Sequence, residues 1–517
     1  MTLTGTRTAA RGGVRVVLGA TAVLLVTALA GCTSPGISWQ WGSEEAKAGE
    51  AEWKPCPEVA AEIAGGAAPQ NVTYDCATVK VPRDWGNPDD GETLDVSLLR
   101  AHSDFQRDDE RIGSLVVNPG GPGGSGVDTA VYMSRSTPIE VLRRFDIVGF
   151  DPRGVERSSP VECYSDADKD KVYASEPDPV SKAEFDELAE FSRDMVADCE
   201  RKYGDTLKYF STEQTARDME AVRKAVGDDK LTYLGYSYGT LIGAVYAHLF
   251  PDKIRAMVLD GAVDPRQDEV ATSKSQAVGF ERAFANFARW CKQTGRSNCP
   301  IGPDAEKSLK DLMAEARKSP ATSSDGRKAT AGWVFSSVIY TMYVKEWWPR
   351  LAQALAEAEQ GKPNRMFEIV DTFNERDSSG DYPNSMEILT TVNCVDEKEA
   401  LSVEKVRELQ GEWRKEHPLF GAPLALSTMT CAVWPDQHDP FPYGEAKGAP
   451  PIMVVGTTGD PATPYEQSGK LADLLGSGVL VTYRGEGHTA YPKPGCLNDT
   501  VNAYLTDLKV PDSEVTC

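Results

Sequence analysis

The stretch GYSYG at 235–239 places Ser237 between two glycines. An apolar, strand-like run precedes it at 230–236, and a helix-like run follows at 240–250. In that setting the G-x-S-x-G pattern is typical of a nucleophile elbow, a sharp turn that lifts a serine hydroxyl above a sheet. Such a hydroxyl could attack a carbonyl carbon once a base removes its proton, so the pattern indicates nucleophilic catalysis.

His488 and Asp460 are the predicted base and acid for this serine. His488 follows the last strand-like run, at the strand end where a parallel sheet presents its functional loops. The chain has five histidines, and four of them lack this placement: His102, His248, His417 and His438. Asp460 also follows a strand-like run, and Thr463 could hydrogen-bond its turn. Asp264, which follows the strand-like run at 254–261, is an alternative acid.

The glycine-rich segment NPGGPGGSG at 118–126 is the predicted anion-binding loop. We expect the N–H groups of Gly121 and Tyr238 to hold the oxyanion of a tetrahedral intermediate. The same loop also fits the G-x-G-x-x-G fingerprint of dinucleotide-binding enzymes, with Asp151 as the acid that would bind a ribose. An oxidoreductase function is disfavoured for two reasons. Asp151 begins the turn DPRG, and a dinucleotide site would leave Ser237, Asp460 and His488 unexplained.

The elements that must position these residues alternate between short apolar runs and helix-like segments. Strand-like runs occur at 93–101, 114–118, 145–151, 230–236, 254–261, 451–457 and 478–485. This alternation predicts a mostly parallel sheet flanked by helices. The order serine, aspartate, histidine is that of the α/β-hydrolase fold. We expect a core at 53–265 and 391–517, interrupted by a helical lid at 266–390.

The first residues carry an export signal. A basic region precedes the short apolar core at 16–30, which predicts a signal peptide over 1–31. The following LAGC resembles a bacterial lipobox and predicts lipidation of Cys32, with a flexible tether over 32–52. The protein is therefore expected on the outer side of the bacterial plasma membrane, held there by its lipid alone, or secreted.

Ten cysteines remain when Cys32 is set aside, an even number that predicts disulfides in an exported chain. The predicted pairs are sequential: 56–76, 163–199, 291–299, 394–431 and 496–517. None of these cysteines has the spacing of a zinc site, and we expect neither a metal nor a cofactor. The net charge of −23 disfavours nucleic acids and anionic lipid surfaces as partners. The oligomeric state is not predicted.

Several motifs together resemble one family. PGGPG at 119–123, DPRGVERSSP at 151–160, GYSYG, GDPATP and the late GHT look like the secreted tripeptidyl aminopeptidases of actinobacteria. These are lid-bearing α/β hydrolases related to proline iminopeptidases, and the resemblance covers about residues 50–517. It implies a serine exopeptidase that releases short peptides from peptide or protein substrates with free N-termini. It also implies that the lid selects the substrate.

One departure from the expected pattern is Glu156, which replaces the second glycine of D-x-R-G-x-G-x-S. The change could be neutral, or it could bring a carboxylate to the site that pairs with the substrate ammonium. Asp396 in TTVNCVDEKE is a second candidate for that role. Two other functions stay open: an extracellular esterase or lipase that uses the same triad, and a catalytically inactive surface-binding protein.

Overall fold

The computed structural model describes residues 51–435, 437–511 and 514–517. The predicted signal peptide, Cys32 and most of the predicted tether lie outside these residues. The strands within the described part are β1 (Lys54–Pro55), β2 (Val72–Pro82), β3 (Thr93–Ser103), β4 (Gly113–Asn118), β5 (Phe145–Phe150), β6 (Leu231–Tyr236), β7 (Ile254–Asp260), β8 (Ala321–Thr322), β9 (Lys328–Ala329), β10 (Ile452–Gly459), β11 (Gly478–Glu486) and β12 (Val515–Thr516).

Ten of these strands form one sheet in the order β1-β2-β3-β5-β4-β6-β7-β10-β11-β12. The pairs β1–β2, β2–β3 and β3–β5 are antiparallel. All further pairs, from β5–β4 to β11–β12, are parallel. The predicted mostly parallel sheet is therefore confirmed. Because the central strands are parallel, the loops that follow β4, β6, β7, β10 and β11 all leave the sheet at the same edge.

The described α-helices number eighteen. They are α1 (Pro57–Ile63), α2 (Gly126–Ser136), α3 (Ile139–Leu142), α4 (Asp166–Ala174), α5 (Lys182–Tyr203), α6 (Thr212–Ala225), α7 (Tyr238–Leu249), α8 (Glu269–Thr294), α9 (Ala305–Lys318), α10 (Ala331–Met342), α11 (Trp348–Ala358), α12 (Asn364–Phe373), α13 (Ser385–Asp396), α14 (Val403–Glu416), α15 (Gly421–Leu426), α16 (Met429–Ala432), α17 (Glu466–Leu475) and α18 (Cys496–Asp507). None of them is long and apolar enough to span a lipid bilayer.

The apolar runs of the central strands supply both faces of the sheet with core residues. In β4, Val116 packs into the layer that contains α6, α7 and α17. Its neighbours Leu115 and Val117 pack into the opposite layer with α2 and α18. Successive side chains of a strand point to opposite faces, so a strand covered by helices on both sides must be apolar throughout. That is why these strands were recognisable in the sequence as short, unbroken apolar runs.

The helices between β7 and β10 have a hydrophobic core of their own. Its bulkiest members are aromatic side chains: Phe280, Phe284, Phe287, Trp333, Trp348, Phe367 and Phe420. The two-residue strands β8 and β9 pair within this region, and helices continue to Ala432, beyond the predicted end of the lid at 390. The region touches the edge of the sheet through α8, where a Cβ on Gly279 would lie only 2.3 Å from the carbonyl oxygen of Pro461.

All five predicted disulfides are confirmed: Cys56–Cys76, Cys163–Cys199, Cys291–Cys299, Cys394–Cys431 and Cys496–Cys517. Disulfides form and persist in oxidising surroundings, and five of them indicate an extracellular protein.

Candidate active site

Ser237 lies in the turn between β6 and α7 with a φ of 54°, a left-handed conformation that is unfavourable for a residue with a side chain. Its N–H donates to the carbonyl oxygen of Asp260 at 2.9 Å. A Cβ on Gly235 would lie 2.4 Å from the carbonyl oxygen of Gly239. The flanking glycines therefore permit the tight turn that the G-x-S-x-G pattern predicts.

His488 and Asp460 form a buried pair beyond the ends of β11 and β10. The Nδ1 of His488 lies 2.9 Å from each carboxylate oxygen of Asp460. The side chain of Asp460 is fully buried and that of His488 is 9% exposed. Burial lowers the pKa of His488, but the charge and the hydrogen bond of Asp460 outweigh this, so the pKa is raised above its ordinary value. Asp460 thus orients the ring and stabilises its protonated form.

The turn that carries Asp460 is held by four further hydrogen bonds to the carboxylate. The N–H groups of Ala462 and Thr463 donate to Oδ1, both at 2.9 Å. The Thr463 hydroxyl donates to Oδ2 at 3.1 Å, and the N–H of Thr489 donates to the same oxygen at 3.2 Å. A carboxylate with this many donors has little freedom to rotate, so its geometry relative to His488 is preorganised.

The second ring nitrogen of His488 is buried and has no hydrogen-bond partner within the described part of the chain. A buried polar atom left unpaired is costly, and it is common where a substrate or reacting group is to be bound. The backbone N–H of His488 donates to the carbonyl oxygen of Tyr343 at 2.8 Å. The ring of Tyr343 lies edge-on to the imidazole, with centroids 5.2 Å apart. A residue of the helical region therefore contacts the histidine directly.

The turns of Ser237, Asp460 and His488 meet around the end of β7. Asp260 pairs in register with Tyr236 on one side and with Val455 on the other. A Cβ on Gly261 would lie 3.2 Å from Cε1 of His488. The structure thus brings the three predicted residues together at one edge of the sheet. Their roles as nucleophile, acid and base stay predictions.

The glycine-rich loop lies against the nucleophile turn. A Cβ on Gly120 would lie 2.9 Å from the nitrogen of Tyr238 and 3.0 Å from the Cβ of Ser237. Gly121 has a φ of 112°, which glycine alone adopts readily. Neither the N–H of Gly121 nor that of Tyr238 donates to an acceptor among the described residues. Both amides are thus available to an oxyanion, and the oxyanion-hole assignment stays a prediction.

Glu156 lies in the turn after β5 with a φ of 41°. Its N–H donates to Oδ1 of Asn384 at 3.0 Å. Burial raises the pKa of its carboxyl to about 7, and the nearby carboxylate of Asp151 adds to the rise. The guanidinium of Arg157 lowers it, whereas Asp128 and Glu375 raise it further, so acidic groups outnumber the one nearby cation. Glu156 is therefore a half-buried carboxyl in an acidic environment, and amine binding stays a prediction.

Asp396 has both carboxylate oxygens engaged with one residue. Oδ1 accepts the N–H of Thr212 at 2.9 Å, and Oδ2 accepts its hydroxyl at 2.5 Å. The same hydroxyl lies 2.7 Å from the phenol oxygen of Tyr238 and forms a hydrogen bond with it. Burial raises the pKa of Asp396 to about 8. The structure thus links Asp396 to the residue after Ser237, and amine binding by Asp396 stays a prediction.

The alternative candidates have other partners. Asp264 forms an ion pair with Arg266, and His102 hydrogen-bonds Asp146. Asp151, the acid of the dinucleotide-like pattern, accepts from the hydroxyl of Ser125 at 2.5 Å and so supports the start of α2. Asp260 was not singled out in the sequence. The available sign was an acidic residue at the end of the apolar run at 256–259.

Comparison with known proteins gives consistent matches. The family model described as alpha/beta hydrolase fold matches residues 113–300, and the model described as TAP-like protein matches residues 417–517. Serine protease Hip1 of Mycobacterium tuberculosis is 37% identical over 491 residues, which cover 90% of each chain. Tripeptidyl aminopeptidase of Streptomyces lividans is 30% identical, covering 86% of this chain and 83% of its own.

A third relative has a different name. Carboxylesterase B of Mycobacterium tuberculosis is 32% identical over 505 residues, covering 95% of this chain and 94% of its own. The chain therefore belongs to the tripeptidyl aminopeptidase family of α/β hydrolases, as its motifs indicated.

Proposed function

We propose that this protein is an exported serine exopeptidase that hydrolyses peptide bonds near free N-termini. The observation that carries the proposal is the buried Asp460–His488 pair at the sheet edge where the strained turn presents Ser237. The relatives named Serine protease Hip1 and Tripeptidyl aminopeptidase support a peptidase in particular.

In the proposed mechanism, the hydroxyl of Ser237 attacks the scissile carbonyl carbon while Nε2 of His488 takes its proton. Asp460 keeps the ring oriented and stabilises the imidazolium. The N–H groups of Gly121 and Tyr238 hold the negative charge on the tetrahedral oxygen. His488 then gives the proton to the leaving amine, and an acyl group remains on Ser237. Water activated by His488 hydrolyses that ester and restores the enzyme.

We infer that Glu156 supplies a negative charge for the substrate ammonium. Its side chain has no hydrogen-bond partner among the described residues, and the loop that carries it also contacts α2 through Arg157 and Asp128, which lie 3.0 Å apart. Asp396 is less suited to this role, because both of its oxygens already accept from Thr212. Cys32 is proposed as the lipid-modified residue that would keep the enzyme at the membrane surface.

An esterase is the second candidate, and the relative named Carboxylesterase B favours it. The same serine, histidine and aspartate hydrolyse esters by the same steps. The proposed peptidase releases an amine and recognises a free N-terminus, whereas an esterase releases an alcohol and does not. The predicted triad is the same in both cases and does not distinguish them.

The test offers the mature protein and its Ser237→Ala variant a set of reporters: Ala-Ala-Pro and Ala amides with free or acetylated N-termini, and short-chain nitrophenyl esters. Cleavage of the free amides in preference to the acetylated ones, lost in Ser237→Ala, supports the proposal. Cleavage of esters alone would favour the esterase. Inertness to every reporter and to a serine-directed fluorophosphonate would identify a binding protein and overturn both. Ser136→Ala, an exposed serine on α2, is the matched control.

A further inference from the structure

Asp260 is the last residue of β7, and it is completely buried between the two strands that carry the nucleophile and the acid. In register it pairs with Tyr236 of β6, the residue before Ser237, and with Val455 of β10. A charged residue at such a position is costly unless its oxygens are hydrogen-bonded. Its contacts therefore need an explanation beyond the packing of the sheet.

The backbone and the side chain of Asp260 contact two different parts of the site. Its carbonyl oxygen accepts the N–H of Ser237 at 2.9 Å. Its carboxylate accepts the N–H of Ala490 at 2.9 Å and that of Tyr491 at 2.7 Å. These two amides belong to the segment directly after His488. One residue thus holds the turn of the serine through its backbone and the loop of the histidine through its side chain.

We propose that Asp260 is a positioning residue that sets the distance between Ser237 and His488 by holding the backbone of Ser237 and that of the loop that follows His488. The inference rests on the proposed function, in which these two side chains exchange a proton. A displacement of about 1 Å at a reacting pair lowers the rate of the chemical step by about 100-fold. Loss of the carboxylate would let the histidine loop move, whereas the substrate-binding surfaces would be unchanged.

The charge of Asp260 also acts on the histidine. Burial lowers the pKa of His488, and the charge and hydrogen bond of Asp460 raise it. The charge of Asp260 raises the pKa of His488 further. Burial raises the pKa of Asp260 itself to about 7, although the two amide donors and His488 lower it. The other titratable groups that face this pair from neighbouring elements are Asp460, Tyr236, Tyr343 and Tyr491. Removal of the Asp260 charge should therefore lower the pKa of His488.

The test compares Asp260→Asn with Asp260→Glu, using kcat, KM and the pH profile of kcat/KM for the best reporter. Asp260→Asn keeps the backbone contact to Ser237 but presents an amide where an acceptor is needed. We expect kcat to fall about 10- to 100-fold, with KM changed less than about threefold. The acid limb of the profile should move to lower pH. Asp260→Glu keeps the charge, so its limb should stay near that of the wild type while kcat falls.

Asp146→Asn is the matched control. Asp146 is a buried carboxylate at the opposite end of the sheet, where it binds Arg111 and His102. The Asp146→Asn variant should lose thermal stability, but the acid limb of its kcat/KM profile should not shift. If Asp260→Asn also lost only stability, with wild-type kcat and an unmoved limb, the inference would be overturned. If Asp260→Asn does not fold, the Asp260→Glu variant decides: wild-type kcat there would overturn the inference. A wild-type protein inert to peptides, esters and fluorophosphonate would instead overturn the proposed function.

Discussion

Asp460 faces His488 with both carboxylate oxygens, each 2.9 Å from Nδ1 of the ring, although the two residues are 28 positions apart in the chain. The contact holds the proton on Nδ1 and leaves Nε2 free to accept. Asp460→Asn would turn an acceptor into a donor and favour the wrong tautomer. We expect kcat to fall about 10⁴-fold with the fold preserved, because comparable changes in serine hydrolases have that effect.

The measurement for Asp460→Asn is steady-state hydrolysis beside a thermal melt. Asp264→Asn, which removes the buried carboxylate that pairs with Arg266, serves as the control and should keep most of the activity. A variant at Asp460 that retained more than about a tenth of wild-type kcat would show that this carboxylate does not orient the base.

The pH profile should reflect the raised pKa of His488. The base must be neutral to accept the serine proton, so activity is lost as the ring becomes protonated on acidification. Burial lowers the pKa of the ring but Asp460 raises it more, so the acid limb of kcat/KM should lie above the ordinary value of 6.5. The check is kcat/KM from pH 5 to 9 at constant ionic strength. A limb clearly below 6.5 would contradict the assigned balance of charge and burial.

Much of the site could be predicted because each part depends on local sequence. Ser237, Asp460 and His488 each follow a short apolar strand, and a parallel sheet brings such positions to one edge. The disulfides were predictable as sequential pairs, since the bridged cysteines are at most 37 residues apart.

Other features could not be predicted, because they depend on contacts between distant segments. Thr212 and Asp396 are 184 residues apart, and nothing in either local sequence indicates the other. Asp260 and Tyr491 are separated by 231 residues. The role of such polar residues is decided by which donors the packing brings to them, and a single sequence does not contain that information.

Glu156→Gln tests the proposed amine site. A charge-assisted hydrogen bond contributes about 1.5–3 kcal/mol, so KM for a free-amine reporter should rise about tenfold or more. The acetylated reporter, which has no ammonium, should be unaffected. Because the pKa of Glu156 is raised to about 7, acidification below that value should also raise KM for the free amine as the carboxyl becomes neutral. Glu306→Gln, an exposed glutamate on α9, is the control. An unchanged preference for free over acetylated N-termini would exclude Glu156.

Thr212→Val tests the connection between Asp396 and Tyr238. The hydroxyl of Thr212 lies 2.5 Å from the carboxylate of Asp396 and 2.7 Å from the phenol of Tyr238. Valine has a similar shape but neither bond, which leaves a buried phenol unpaired at a cost of about 1–3 kcal/mol. Because the N–H of Tyr238 is a proposed oxyanion donor, kcat should fall about tenfold with KM nearly constant, and Tyr238→Phe should have the same effect.

Asp396→Asn separates this role from amine binding. If Asp396 acts through Thr212, the variant should resemble Thr212→Val and keep its preference for free N-termini. If Asp396 binds the substrate ammonium, the variant should lose that preference while Thr212→Val keeps it. The ratio of kcat/KM for free and acetylated reporters decides between the two.

Stability should fall as the pH rises from about 5 to about 8. Burial raises the pKa of Glu156 and Asp260 to about 7 and that of Glu269 and Asp396 to about 8. The pKa of each of these carboxyls is about 4 in the unfolded chain. Between that value and the folded pKa, the folded protein keeps the proton that the unfolded chain has lost, so the free energy of unfolding falls as the pH rises. The raised pKa of His488 acts in the same direction.

Groups whose pKa is lowered do not cancel this trend, because their window is different. Burial opposes the ionised form of Asp325, but hydrogen bonds from Ser323 and Arg327 lower its pKa to about 2. Its stabilising contribution is complete above pH 4 and is lost only on stronger acidification. Calorimetry at constant ionic strength should therefore give a thermal midpoint that falls by several degrees between about pH 5 and pH 8. Asp396→Asn, which cannot ionise, should reduce that slope. A midpoint that rises over this range would show that these carboxyls are ionised in the folded protein well below pH 7.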